Sequence, residues 1–411
     1  MFTDGYILGH IGIALAIATP FLDLNGLWLG LLAASTLVGI AIGAPIAGRL
    51  SDRFGRSKLL AIDFALLVIL ALLHFFVNDA GTLLVLRTLM GIAIGAEYAI
   101  GAAVLSEFSP QRHRGTLLAS LNGAWIVGFV TGFLSAYIMR GLGSDWRVIF
   151  ASAAVPAIIV FFLRLGSPES PRWLAKNGHP DRAAAIIRKY FGPEYTVGNE
   201  TSEAEEATNG KEISELFSPQ YIRRTIFSGG FWACQVMPLF ALTIFLPQVL
   251  GSLGIEGELG AELVVNGMLL IGAVIGVLAV SYFSRRGLVI NTFAFVAIAL
   301  VVLAFATILP TWLAVAVFAL FVLVASAASN LEYVYPSEIF PTEIRATGMG
   351  FSAAVSRVGS VVSTFLLPIA LEQLGNMVTM LLLAGVAGIG FVISVLWAPE
   401  TKGKTLEEAS L

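Results

Sequence analysis

One cysteine, Cys234, stands in the whole 411-residue chain, inside an apolar run, which excludes an intramolecular disulfide and a thiolate metal cluster. The four histidines are scattered without ligand spacing. No nucleophile–base pair, metal-ligand cluster or phosphate-cradling loop can be assembled, so the residues call for no enzyme, metal or cofactor. Charge is scarce too: Asp, Glu, Lys and Arg make up 12% of the chain against 57% hydrophobic residues, about half the charge of a soluble domain. Such a chain cannot face water over most of its surface, and a lipid bilayer is the implied surrounding. A net charge of −3, with no basic patch interleaved with aromatics, leaves no footprint for nucleic acid.

The charge that is present is unevenly placed. Eight basic and nine acidic residues fall between Gly166 and Arg224, the one long aqueous segment. Apolar runs of about 18 residues or more mark spanning helices, because a bilayer core of roughly 30 Å takes about 20 residues. Twelve are predicted, over 2–22, 27–49, 59–77, 80–107, 116–139, 147–164, 225–250, 261–283, 287–308, 311–333, 346–370 and 376–397. Lys and Arg concentrate in one set of loops, at Arg49, Arg53, Arg56 and Lys58, Arg112 and Arg114, the 166–224 segment, Arg285 and Arg286, Arg345, and Lys402 and Lys404. The opposite set has Arg140 and Arg147 alone, so both termini and the central loop are expected on the cytoplasmic side of the cell membrane. Residues 195–211 read as an acidic linker, and PDRAAAIIRKYF before it as a short amphipathic helix.

The chain repeats itself. Glu107, Pro110, Arg114 and Gly128 recur as Glu338, Pro341, Arg345 and Gly359, and the PES of 168–170 recurs as the PET of 399–401, all at an offset of 231. The expected fold is therefore an all-α membrane protein of twelve transmembrane helices in two pseudo-symmetric six-helix bundles. The bundles are expected over 1–164 and 225–397, with a cytoplasmic central loop at 165–224 and a tail at 398–411.

GRLSDRFGR (48–56), SEFSPQRHRG (106–115), DWR (145–147), SPESPRW (167–173), YPSEIFPTEIRATG (335–348) and PETKGKTLEE (399–408) together resemble the major facilitator superfamily, in the branch of sugar porters and metabolite:proton symporters. The resemblance covers nearly the whole chain and implies alternating access around a midplane site. Asp52 with Arg53 and Arg56, Glu107 with Arg114, Glu169 with Arg172, and Glu338 with Arg345 are expected as charge pairs at helix ends that gate the inward opening; the alternative is that they fix topology alone. The second half reads SYFSRRG at 281–287, with no acid at the Asp position, so the lock is expected to be asymmetric.

Ionisable groups inside a bilayer mark function by default, since each costs about 2.5–3.5 kcal/mol. Asp4, Arg87, Glu97 and Arg357 qualify. Arg87 is placed like the fourth-helix arginine that resembling symporters couple to a first-helix aspartate, and the DGY around Asp4 is similar to that of metabolite and aromatic-acid symporters. Asp4 and Arg87 are accordingly the expected proton-coupling pair, the alternative being a structural ion pair in a uniporter; Glu97, ten residues further along the fourth helix, joins that set as a second protonatable site or else belongs to the cytoplasmic lock. Arg357 is expected either to grip an anionic substrate or to pair with an acid on another helix. Tyr98, Asn122, Trp125, Trp232, Gln235, Asn330 and Tyr333 are the polar and aromatic candidates for lining the site. Sugar porters carry two glutamines where this chain has Cys234 and Gln235, which argues against a hexose. In resembling proteins the first-helix acid lies at mid-membrane behind a basic tail, so some twenty or more residues are expected before Met1.

The sequence thus predicts a monomeric secondary transporter, with a small organic acid or sugar-like metabolite and protons as its partners in the bilayer. The alternatives are a facilitative sugar uniporter and a non-transporting nutrient sensor. Replacing Asp52 with Ala is expected to cut uptake while membrane insertion stays intact; unchanged uptake would count against the gate.

Overall fold

A computed structural model describes residues 1–108, 114–190, 211–254, 259–341 and 344–402. Among them the architecture is all-α, with eleven helical stretches long and apolar enough to cross a membrane. The last stretch, within Arg345–Trp397, is two helices merged across Gly375, whose φ of 74° breaks the helix, so the spans number twelve. We label them α1 (Phe2–Leu22), α2 (Gly26–Phe54), α3 (Arg56–Phe76), α4 (Ala80–Phe108), α5 (Arg114–Gly141), α6 (Trp146–Arg164), α7 (Ile222–Ile244), α8 (Leu259–Tyr282), α9 (Arg285–Ala304) and α10 (Thr311–Ala328), with α11 (345–374) and α12 (376–397) on either side of Gly375. Where five residues were expected between the last two spans, Gly375 alone breaks the helix, in a positive-φ conformation that glycine adopts without strain.

Several spans end in a break rather than a loop. α1 is interrupted at His10. α7 yields at Phe245 to a short helix Leu246–Ser252 that starts with a proline in its first turn, and α10 is followed by Leu331–Ile339 after Ser329 and Asn330. Outside the spans, Pro180–Tyr190 buries Ala183 and Ile187 on one face, the i, i+4 stripe of an amphipathic helix. Residues 195–210 of the acidic linker lie outside the described residues.

The chain divides into two compact units, one of Met1–His10 and Ser35–Thr208, the other of Ile11–Ala34 and Asn209–Leu411. The sequence boundaries follow chain order; packing instead assigns residues 11–34 to the second unit. Within that unit Gly12 abuts the Ile244 carbonyl, Gly26 and Gly30 abut the Pro368 and Phe365 carbonyls of α11, and the Gly26 N–H donates to Glu372 at 2.5 Å.

In the first unit the helices meet backbone to backbone. A Cβ on Gly5 or Gly9 would strike the carbonyls of Trp125 and Phe129 on α5, and one on Gly128 or Gly132 would strike those of Phe2 and Tyr6 on α1. Gly39 and Gly43 of α2 stand in the same reciprocal relation to Gly91 and Gly95 of α4. Four-residue glycine spacing on both partners is the small-residue packing by which helices associate in lipid, where no hydrophobic force draws them together. The second unit repeats this scheme with more hydroxyl and amide chemistry. On α8, Gly272 and Gly276 face the Leu323 and Ala327 carbonyls of α10; Ser326 donates to the Leu269 carbonyl at 2.7 Å, and Ser228 of α7 bonds Ser352 of α11 at 2.7 Å.

Gly132→Val forces α5 off α1 and is expected to lower stability by about 1–3 kcal/mol, the range for overpacking. A fall in the unfolding temperature of the purified protein is the measurement, and an unchanged value contradicts the contact.

Candidate functional site

In the first unit the ionisable side chains form two groups. Asp4 on α1 is fully buried, Asp63 on α3 is 6% exposed and Glu97 on α4 is 8% exposed. Asp4 and Glu97 both lie against Met1 at the start of α1. Asp63 stands within Coulombic reach of Asp4. Glu97 borders a cavity of about 430 Å³ walled by Leu60, Phe64, Val104 and Leu121.

The second group lies further along the same helices. Arg87 is fully buried on α4, with its guanidinium 5.2 Å from the centre of the Phe150 ring and none of its nitrogens hydrogen-bonded among the described residues. His10 and His74, both fully buried, rest against the same ring at 5.6 Å and 5.2 Å, and both interact electrostatically with Arg87. His74 Nδ1 donates to the Leu70 carbonyl at 2.9 Å. Tyr6 lies between the groups, edge-on to His10, with its hydroxyl bonded to Ser135 at 2.7 Å and Ser152 at 3.0 Å. Asp4 and His10 are six residues apart, about 9 Å of helix, and Arg87 and Glu97 are about 15 Å apart. Asp4 and Arg87 are therefore not an ion pair in this conformation. The acids stay together, and the arginine rests on an aromatic face, its positive charge working against a second one on either imidazole.

In the second unit Arg357 of α11 acts electrostatically on Glu332, which is 6% exposed. The Trp232 indole of α7 donates to the Glu332 carboxyl. Gln235, one turn beyond Trp232, is 5% exposed, and neither amide atom has a partner among the described residues. Of the two readings of Arg357, its having an acid neighbour on another helix is met. Asn330 commits its amide to the Ala273 and Ala327 carbonyls at 3.3 Å and 3.1 Å, so it ties helices together. Trp125 stacks on Phe129 at 5.5 Å along α5, and Tyr98 and Asn122 are half-buried. The Tyr333 side chain lies outside the described residues.

With this geometry the chain can be compared with known proteins. The family model described as Sugar (and other) transporter matches residues 18–411. The chain belongs to that family. It is 41% identical to the inner membrane metabolite transport protein YgcS of Escherichia coli (strain K12), over 99% of this chain and 91% of that one. It is 28% identical to the arabinose-proton symporter of Bacillus subtilis (strain 168), over 98% and 90%. In fold it matches the partially occluded, inward-open xylose transporter XylE of Escherichia coli with a TM-score of 0.80 at 23% identity, over 98% of this chain and 96% of that one. Membership in the Sugar (and other) transporter family makes the protein a multi-pass membrane transporter and not an enzyme.

Of the charged loop motifs, Asp52 and Arg56 pair as expected, and Glu338 takes another partner. The side chain of Arg172, the expected partner of Glu169, lies outside the described residues. Glu169 Oε1 accepts the backbone N–H groups of Arg56 at 2.8 Å and Ser57 at 3.0 Å, the first free donors of α3, where a carboxylate also meets the positive end of the helix dipole. Glu400, its repeat equivalent, accepts the Arg285 N–H that opens α9 at 3.1 Å. Burial works against the Glu400 charge, but hydrogen bonds from the Lys402, Arg285 and Arg286 backbone and the Ser284 hydroxyl outweigh it and hold the carboxyl below its usual range. Glu338 does not pair with Arg345. It is engaged by Arg285 at 3.3 Å and by the Thr401 hydroxyl at 2.5 Å, while Arg345 donates to the nearby Phe340 carbonyl at 3.1 Å. Asp52 meets Arg56 at 3.5 Å across one exposed turn, a pair contributing at most about 1 kcal/mol, and Arg53 lies over the Phe54 ring. The side chains of Glu107 and Arg114 lie outside the described residues.

Asp63, His10, His74 and Glu332 were not singled out from the sequence. Each is an isolated ionisable residue in or next to an apolar run, the signal that marked Asp4.

Glu169→Ala and Glu400→Ala are each expected to remove about 1–2 kcal/mol, as loss of a helix cap does. For Glu400, whose carboxyl sits lower in the folded than in the unfolded chain, the stabilisation is present above pH of about 4.3 and disappears as pH falls through the folded value. Thermal unfolding of wild type and variant across that range should show the gap closing on the acid side; a gap independent of pH contradicts the assignment.

Proposed function

We propose that the protein is a proton-coupled symporter of a small organic acid, working by alternating access as a monomer in the cell membrane with both termini cytoplasmic. The observation that carries this is Arg357: a guanidinium in a spanning helix that, like the Trp232 indole, acts on the buried Glu332 and offers a carboxylate a bidentate partner, while Gln235, one turn from Trp232 on α7, has an unspent amide. An intramembrane cation in a family of metabolite carriers is better explained by an anionic cargo than by a neutral sugar, because a sugar gives it nothing to neutralise. Proton coupling is supported by the buried acids Asp4, Asp63 and Glu97, which border a cavity through Glu97, and by the relative named an arabinose-proton symporter. Arg87, with its two imidazoles, keeps a second positive group in the same unit apart from them. The competing reading is a facilitative sugar uniporter, favoured by the family name.

Proteoliposomes separate the two. Adding a transported acid should drive protons inward with it, whereas a uniporter moves none. Arg357→Gln is expected to lower uptake of sugar acids and aromatic acids about 10- to 100-fold, the loss of one charged hydrogen-bonding partner of about 1.5–3 kcal/mol, and to leave uptake of any neutral sugar unchanged. Sugar uptake without proton movement, indifferent to Arg357, would establish the uniporter instead.

A further inference from the structure

Glu332 has no part in the proton-coupling set read from the sequence, yet it is a buried acid on which the proposed substrate cation acts. It is 6% exposed, and its Oε1 has no hydrogen-bond partner among the described residues. Two groups act on it: the Trp232 indole from α7 and the Arg357 guanidinium from α11. The other polar groups of its own helix are committed elsewhere. Tyr335 donates to the Pro399 carbonyl at 2.5 Å, and Glu338 is engaged by Arg285 of α9 and by Thr401. Gln235, one turn from Trp232 on α7, is 5% exposed, and neither of its amide atoms has a partner among the described residues.

We infer that Glu332 and the substrate carboxylate compete for Arg357, so that Glu332 is a proton-coupling residue located at the substrate site. The inference rests on the symport reading above and adds a residue and a mechanism to it. A guanidinium beside two carboxylates in a low-dielectric site leaves one negative charge uncompensated, and that costs several kcal/mol. The arrangement becomes neutral when one carboxylate is protonated. Glu332 as carboxylate holds Arg357 and keeps a second anion out. When Glu332 takes up a proton, its O–H forms, its charge is lost, and Arg357 turns to the substrate. One proton and one anion then occupy the unit together, and release of the anion returns Arg357 to Glu332 as the proton leaves. Trp232 serves both states, since an indole N–H can donate to a carboxylate or to the carbonyl oxygen of a carboxylic acid. Coupling is thus direct, through a shared cation, and needs no signal from the acids of the other unit.

The test is binding of gluconate and of 4-hydroxybenzoate, a sugar acid and an aromatic acid, to the purified full-length protein between about pH 5 and about pH 8, where both probes are ionised. By linkage, wild-type affinity for the better probe should tighten as pH falls, by up to about tenfold per unit. Glu332→Gln keeps the shape and the acceptor for Trp232 but not the charge, and should bind with the tight value at every pH. Glu332→Asp, which retains an acid, should keep the pH slope. Arg357→Gln should bind about 10- to 100-fold more weakly throughout. A Glu332→Gln variant with the wild-type slope overturns the inference and returns the coupling to Asp4, Asp63 or Glu97. If wild type binds an acid probe but its transport into proteoliposomes moves no proton, the symport reading itself fails, and the inference fails with it.

Discussion

Everything in this fold depends on helix backbones touching. In a bilayer each peptide group must be satisfied within its own helix, and since lipid is as apolar as leucine, the helices are held by close packing and by hydrogen bonds between them. The paired glycines of α1 with α5 and of α2 with α4 supply the packing. They also set where the charges stand. Asp4 directly precedes Gly5, and Tyr6 offers its carbonyl to Gly132 while its hydroxyl reaches Ser135 and Ser152. Arg87 lies one turn before Gly91 on α4, and Glu97 two residues after Gly95. Loosening the contact would move the ionisable groups, so the same glycines that build the bundle also align its polar interior.

Once the charges are inside, each must be compensated, and the protein uses a different means at each place. Arg87 has an aromatic face. Glu169 and Glu400 have the free N–H groups of helix starts. Glu332 has an indole and a guanidinium. The helix-start solution is the most economical, since it satisfies donors that the start of any helix leaves open, and it is the one used in both units. The others are special to one place, as expected of groups that act on something besides the fold.

The spans, the duplicated architecture and the family were legible because each rests on a signal summed over many residues: long apolar runs, motifs recurring at one offset, six motifs in order. The long-range pairings were not. Glu169 accepts a backbone N–H cluster more than a hundred residues away in sequence, a partner that its spacing from Arg172 does not reveal. The same holds for Glu338, whose partner Arg285 comes from another helix start. Asp63 and Glu332 were missed because they were weighed as ordinary members of their segments; only packing shows the first beside Asp4 and the second beside Arg357. The break at Gly375 was hidden because nothing but a positive φ separates two apolar helices there.

The offset of 231 carries a final argument about what the two halves share. One packing glycine and the helix-start acid recur: Gly128 maps to Gly359 and Glu169 to Glu400. The interior charges do not. Asp4 maps to Gln235, Asp63 to Ala294, Arg87 to Phe318 and Glu97 to Ala328, while Glu332 maps back to Gly101 and Arg357 to Ile126. A duplicated scaffold tolerates loss of symmetry wherever packing does not require it, and an intramembrane charge retained in one copy alone is not explained by packing. Each unit therefore holds a charge chemistry of its own. The first keeps its acids apart from its arginine. The second sets an acid against an arginine across an indole, an arrangement in which a proton and an anion can govern each other's binding within a single bundle.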